Sequence, residues 1–249
     1  MTISPRYAAL ALDDVRLALN GRPLLGPLSL EVPPGGAATL MGPSGCGKSS
    51  LLAYLCGTLD PAFQASGGIR LGGQDIAALP PERRRIGILF QDDLLFPHLS
   101  VAENLAFGLP AALRDRGERR RRIEAALAEG DLVGFGERDP ATLSGGQRAR
   151  VALLRTLLSE PLALLLDEPF GKLDVALRDR FRRFVFDHAQ AGGLPTLMVT
   201  HDPFDAEAAG GPIIELPAGA SPESSPESPS NDRAEASEAG LESRLDPAN

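Results

Sequence analysis

The sequence predicts an α/β fold: a mostly parallel sheet, an antiparallel β layer towards the N-terminus, and a block of helices in mid-chain. Three observations carry this. Ala37 to Met41 is an apolar strand that runs into a glycine-rich loop and then a helix. Leu162 to Leu166 is an unbroken apolar run closed by Asp167, the pattern of a strand buried on both faces of a parallel sheet. From Val101 to about Arg155 the apolar spacing turns helical.

Taken in order, residues 8 to 41 read as strands. Leu28, Leu30 and Val32 alternate with Ser29 and Glu31, and Asn20-Gly21 is a hairpin turn signal. Ser49 to Cys56 reads as the helix after the glycine loop. Ile69 to Leu71 and Ile86 to Phe90 are short strands. Ile123 and Leu127 stand four apart on an Arg/Glu-rich helix, and Thr196 to Thr200 is another buried strand. From Pro217 to Asn249 the composition changes to seven Ser, five Pro and no aromatic residue. Such a segment buries too little apolar surface to offset its ordering entropy, so residues 217–249 are expected to be a disordered acidic tail.

At 249 residues and 43% hydrophobic, the chain can build one sizeable core. The net charge is −8, and seven acids against two Arg after Leu216 supply five of those charges. No basic excess points to nucleic acid. The runs Arg83 to Arg85 and Arg119 to Arg122 read most simply as solvated faces. Cys46 and Cys56 do not make a disulfide framework and are expected to be reduced thiols, as in the cytoplasm. No apolar run approaches the roughly 18 residues of a membrane span, so membrane work would need another chain. The apolar patch Tyr7 to Leu12 is short for the core of a signal peptide.

The strongest chemical signal is Gly42-Pro43-Ser44-Gly45-Cys46-Gly47-Lys48-Ser49, a complete G-x-x-x-x-G-K-S loop with Ser50 next on the helix. The glycines let backbone N–H groups turn inward around a phosphate, and the following helix adds its positive end. Lys48 then neutralises the β- and γ-phosphates of a nucleotide, and the Ser49 hydroxyl is a ligand for Mg²⁺. With Gly near 7% of residues, chance would place this pattern in about one chain of this length in a hundred. The flanking strand and helix are the context that confirms it.

Leu164-Leu165-Leu166-Asp167-Glu168 is a second nucleotide element. A carboxylate at the C-terminal end of a buried strand can hold Mg²⁺, usually through water, and Glu168 beside it can orient an attacking water. Alone, an apolar strand ending in Asp is ordinary.

Leu143-Ser144-Gly145-Gly146-Gln147 decides between readings. With this pentapeptide about twenty residues before the Asp-Glu strand, residues from about 10 to 216 resemble the ABC ATPase family. Gln91 after the strand Gly87 to Phe90, Leu173-Asp174 after Glu168, and His201 after Thr200 stand in the family's order. Singly, Gln91 would read as a surface amide and His201 as a structural histidine. The resemblance implies a P-loop NTPase (RecA-like) core over residues 8–216, an N-terminal antiparallel β subdomain and an α-helical signature subdomain at about 92–155. It implies ATP and Mg²⁺ as cofactors, with Ser49, Gln91 and Asp167 at the metal. It implies a homodimer paired head to tail, in which Ser144, Gly145, Gly146 and Gln147 reach the partner's ATP and Asp174 touches the partner's loop. Glu168, His201 and Gln91 are the implied catalytic residues.

Gln91 to Asn104 is similar to the coupling region of binding-protein-dependent importers. That implies transmembrane permease subunits, an extracytoplasmic substrate-binding protein, and a station at the cytoplasmic face of the cell membrane. Phe96 reads either as a contact for the membrane subunit or as a core residue of the insert, and His98 as part of a turn. Within the importers the pattern looks most like thiamine-type cassettes. The rival readings are a soluble ABC ATPase outside transport, an exporter cassette, and a non-catalytic nucleotide-gated scaffold, against which Glu168 and His201 argue. The chain departs from the family where most members stack adenine on an aromatic ring: that position falls at Leu19 or Asn20.

Overall fold

A computed structural model of the chain describes residues 8–173 and 175–217. Asp174 and the acidic tail beyond Pro217 therefore lie outside the described residues. Two sheets form the body. An antiparallel sheet runs in the order β2-β1-β4-β5, from β1 (Leu10–Leu19), β2 (Arg22–Val32), β4 (Phe63–Leu71) and β5 (Gln74–Asp75). A parallel sheet runs in the order β6-β7-β8-β3-β9, from β3 (Ala37–Met41), β6 (Ile86–Leu89), β7 (Ala163–Asp167), β8 (Thr196–Thr200) and β9 (Ile213–Glu215). The Asn20-Gly21 turn has both residues in the left-handed region, φ 51° and 77°, which suits a two-residue hairpin.

Helix α1 (Lys48–Cys56) follows β3, and α2 (Pro81–Arg84) is one turn before β6. The mid-chain block is three helices: α3 (Val101–Gly108), α4 (Arg116–Glu129) and α5 (Gly145–Leu158). It breaks because each helix has its own start signal. Ser100 and Glu103 form a capping box for α3, Asp115 caps α4, and Ser144 and Gln147 form a capping box for α5. Helices α6 (Val175–Ala191) and α7 (Pro203–Ala209) complete the described chain.

Three apolar clusters hold these layers. One fills the space between the two sheets and takes in Leu51, Leu52 and Leu55 of α1 with Leu165, Leu197 and Val199. The opposite face of the parallel sheet presents Leu164, Leu166 and Met198 to α5 and α6, where Phe170 and Phe181 meet edge to face at 5.8 Å. The third cluster lies inside the helical block, from Val101 and Leu105 to Leu127. Helix α5 belongs to two clusters: Ala149, Ala152 and Leu153 face the sheet, while Val151 and Leu154 face α3 and α4.

The strand expected only at Ile69 to Leu71 starts earlier, at Phe63. Its first six residues, Phe-Gln-Ala-Ser-Gly-Gly, carry almost no apolar period, and their place is set by pairing with β1, Phe63 opposite Leu19. Arg84, part of a run read as solvated, is buried. Its guanidinium donates to the carbonyls of Tyr54, Leu55, Ala77 and Leu79 at 2.6 to 2.9 Å, tying the end of α1 to the segment before β6. Both cysteines are free thiols, and burial pushes Cys56 up to about 11. Among the described residues no helix is long and apolar enough to cross a membrane.

Candidate functional site

The parallel sheet sets the site by register. Met41 pairs with Thr200, Val199 with Asp167, and Leu166 with Leu89. The segments carrying Gly42 to Lys48, Gln91, Glu168 and His201 thus leave one edge of the sheet, the carboxyl edge, where open α/β sheets bind ligands.

The glycine loop is tightly built. A Cβ at Gly42 would lie 2.9 Å from the Cys46 sulfur and 3.1 Å from the Leu216 carbonyl oxygen. Gly47 holds φ 95°, with Leu24 and Leu25 against it, so a side chain there would be strained and crowded. Gly47 starts α1 without any side-chain cap, so the first N–H groups of the helix are not taken up by a neighbour's side chain. Lys48 is only 8% exposed, and its ammonium donates to the carbonyls of Gly42 at 2.7 Å and Pro43 at 2.9 Å. It arches over the loop from within.

Asp167 ends β7 facing the Ser49 hydroxyl, with Lys48 and Glu168 close enough to influence its charge. Burial pushes the Asp167 carboxyl above its ordinary value, and Ser49 and Lys48 act against that. Glu168 sits in the left-handed region, φ 46°, held by its N–H donating to Val199 O at 3.0 Å. This turn brings its carboxylate 3.2 Å from Nδ1 of His201. Gln91 is exposed beyond β6, and its amide lies 3.7 Å from where a Cβ on Gly171 would stand. The structure therefore gathers Lys48, Ser49, Asp167, Glu168 and His201, with Gln91 flanking Gly171. Ser144 to Gln147 are turned to other business. Ser144 accepts from Gln147 N at 3.3 Å, Gln147 accepts from Ser144 N at 2.9 Å, and Gly146 packs near Leu177 of α6. Among the described residues no hydrogen bond or ion pair joins this turn to the loop at 42–50.

Several residues around the site were not legible in advance. Arg178 donates to the Asp202 carboxylate at 2.9 Å and to Leu173 O at 3.3 Å, linking the segment before Asp174 to the one after His201. Asp205 is buried with Arg182 as its ion-pair partner and accepts from Thr200 at 3.2 Å. Asp202 caps α7 through Phe204 N, so an Asp-Pro pair just past a buried strand was the available signal. Asn104 is 0% exposed: its oxygen accepts from Phe96 N and its amide donates to the carbonyls of Phe96, Leu99 and Ser100. That pins the turn containing His98. Phe96 is half-buried, packing on the exposed Phe107 at 4.7 Å.

The donors at Asp167 are oxygens: its own carboxylate, the Ser49 hydroxyl and the neighbouring Glu168 carboxylate. This set fits a hard divalent cation such as Mg²⁺, which takes one or two carboxylates and completes its shell with phosphates and water.

Comparison with known proteins agrees with this geometry. The sequence profile described as ABC transporter matches residues 25–171. The Escherichia coli (strain K12) protein "Uncharacterized ABC transporter ATP-binding protein YnjD" is 51% identical over 199 residues, 80% of this chain and 91% of the relative. "Fe(3+) ions import ATP-binding protein FbpC" of Agrobacterium fabrum is 40% identical, covering 88% of this chain and 61% of that protein. "Sulfate/thiosulfate import ATP-binding protein CysA" of Gloeobacter violaceus is 42% identical, covering 80% of this chain and 57% of that protein. A mononucleotide loop, a carboxylate pair and a histidine on one sheet edge, in a chain matched this way, are the parts of an ATPase: the chain belongs to the ABC transporter family as an ATP-binding, ATP-hydrolysing subunit.

Proposed function

We propose that two copies of this chain pair head to tail over two Mg-ATP molecules and drive import through a separate membrane permease served by an extracytoplasmic binding protein. Residues 8–216 form the working cassette at the cytoplasmic face of the membrane, and 217–249 form a tail. One observation carries the dimer. The phosphate-facing groups converge on one edge of the parallel sheet, while Ser144 and Gln147 cap their own helix, with Ser144 exposed at its start.

The roles follow from position. Gly42 to Ser50 wrap the phosphates, and the Lys48 ammonium exchanges its two carbonyl partners for β- and γ-phosphate oxygens. Ser49, Asp167 and Gln91 hold Mg²⁺, which when bound offsets charge on the phosphates. Glu168 orients the attacking water and takes its proton. His201, fixed by Glu168, donates to the γ-phosphate as charge spreads in the transition state. Ser144 to Gln147 bring N–H groups and a hydroxyl to the partner's γ-phosphate, and Asp174 reaches the partner's loop.

Import is supported by the names of two relatives, one for iron(III) and one for sulfate/thiosulfate. They match this chain at 40% and 42% identity, yet their named cargoes share no chemistry. A motor subunit that never touches its solute behaves in that way, so the thiamine resemblance names no cargo here.

The test of pairing is a mixed dimer of Lys48→Ala and Ser144→Arg subunits. One composite site then holds both lesions and the other is intact. Residual ATPase in the mixture, with each variant alone inactive, is expected. An intact site that stays empty of ATP would reject the head-to-tail arrangement. For transport, affinity purification of the full chain from detergent-solubilised membranes should return a polytopic membrane protein. Recovery only from the soluble fraction, without such a partner, would reject the transport role.

A further inference from the structure

The loop after Gln91 is fastened in two directions. Towards the core, Asp92 pairs with Lys172, four residues past Glu168. Towards the helical block, two arginines of α5 reach it. Arg155 donates to Leu94 O at 2.9 Å and Asp93 O at 3.3 Å, and its guanidinium lies 5.4 Å over the Phe96 ring. Arg148, one turn into α5, donates from Nε to the Asp93 carboxylate at 3.1 Å.

Arg148 does something Arg155 does not. Its Nη1 donates to Leu143 O at 2.7 Å, the carbonyl just before Ser144. Its Nη2 lies 3.8 Å from where a Cβ on Gly145 would be. A single guanidinium thus spans three things: the carbonyl leading into Ser144, the first glycine of the turn, and the carboxylate two residues past Gln91. A guanidinium is planar and presents its donors in a fixed fork, so satisfying Asp93 and Leu143 together fixes their separation. Burial reinforces the link, since a half-buried Asp93 carboxylate loses much if its cation leaves.

We propose that Arg148, held by Asp93, is a positioning residue that sets where Ser144 and Gly145 stand relative to the Gln91 loop, and so how well they meet ATP on the partner subunit. This rests on the head-to-tail reading above. Arg148 touches no phosphate; it acts through the turn. A displacement of about 1 Å at such a donor is enough to lower a rate by ten- to a hundredfold.

The first measurements use the full chain carrying Arg148→Gln, Asp93→Asn, or both. kcat should fall about tenfold for Arg148→Gln, with KM and monomer ATP affinity within about twofold. Asp93→Asn should fall in the same direction, and the double variant should be no slower than Arg148→Gln alone, because both changes break one link. Unchanged kcat, losses that multiply, or ATP affinity falling in step with rate would each overturn the assignment.

Mixed dimers then separate two routes. A Lys48→Ala subunit leaves only its partner's loop able to fire, and that site uses the Lys48→Ala subunit's own Ser144. Arg148→Gln on the Lys48→Ala subunit should lower the residual rate about tenfold; on the other subunit it should cost less than twofold. The reverse pattern would make Arg148 a support of its own subunit's Gln91, and equal losses would make it a support of the fold at large; both overturn the proposal. Ser144→Arg in the same two placements is the control. If it shows no asymmetry, the head-to-tail reading fails independently of Arg148. Should the Lys48→Ala dimers have no residual rate, ATP-driven dimerisation of the Glu168→Gln protein decides: Arg148→Gln is expected to raise the ATP concentration needed about tenfold, and an unchanged requirement would overturn the inference.

Discussion

The loop at Gly42 to Ser49 and the turn at Ser144 to Gln147 are both glycine-rich helix starts, yet they finish their hydrogen bonds in opposite ways. Helix α1 begins at Gly47 without a side-chain cap, and the Lys48 ammonium in its first turn is turned back onto the loop's own carbonyls. Helix α5 begins with a complete capping box, Ser144 and Gln147 each serving the other. The first end needs an anion to be complete. The second is complete by itself, and can sit exposed until something approaches it. Here the start that lacks a side-chain cap lies at the phosphate loop, and the one that caps itself is the turn proposed to meet the partner subunit.

The largest effect that would sharpen this contrast is Glu168→Gln. The amide keeps the shape and the contact to His201 but cannot take a proton, so kcat should fall by about 10³-fold while ATP affinity holds. Steady-state ATPase and a nucleotide titration on the same preparation check both halves. Full turnover would place the base elsewhere. Next, Lys48→Ala removes the charged donor at the uncapped end, and ATP affinity should weaken on the order of a hundredfold. An unchanged titration would break the contrast at its first term. Ser144→Arg attacks the second term: hydrolysis should drop about 10²-fold, with single-subunit ATP affinity nearly intact. Equal loss of affinity in the Ser144 and Lys48 variants would erase the distinction. Asn104→Ala should have the smallest effect on chemistry. It strips four hydrogen bonds from the buried turn at Phe96 to Ser100 and should cost about 3 kcal/mol of stability. Thermal unfolding should register that as a fall of roughly 6 to 12 °C, with ATP affinity unchanged.

Much of the parallel sheet was legible because its strands are apolar runs that end abruptly in chemistry: Met41 before Gly42, Leu166 before Asp167, Thr200 before His201. The pattern that buries a strand also points at its functional end. What local pattern could not show was everything decided by distant partners. Arg84 and Arg83 look alike in sequence, and only the carbonyls of α1 and of Ala77 and Leu79 make Arg84 a buried brace. Asn104 sits in a stretch that reads as a surface for a membrane partner, yet it is fully buried and holds that stretch together from beneath. Helix α6 is rich in Arg and Asp, yet Phe181, Phe184, Val185 and Ala189 recur among those charges at helical spacing, and that face packs against Leu166 and Met198. Glu168 in the left-handed region is a property of the turn between β7 and Val199, with no trace in residue type.

The strand order carries one more consequence, for a chain still being made. Strand β3, which ends in the phosphate loop, is synthesised early, but both of its neighbours, β8 and β9, come near the end of the described chain. Met41 O receives its donor from Leu216 N at 2.7 Å, and the carbonyl of Leu216 packs against Gly42. A nascent chain therefore carries the complete loop sequence before β8 and β9, which flank its strand, have been made. Both strands that flank the loop's own strand follow the helical block in the chain, so the flanks of the phosphate loop are complete only after that block has been made.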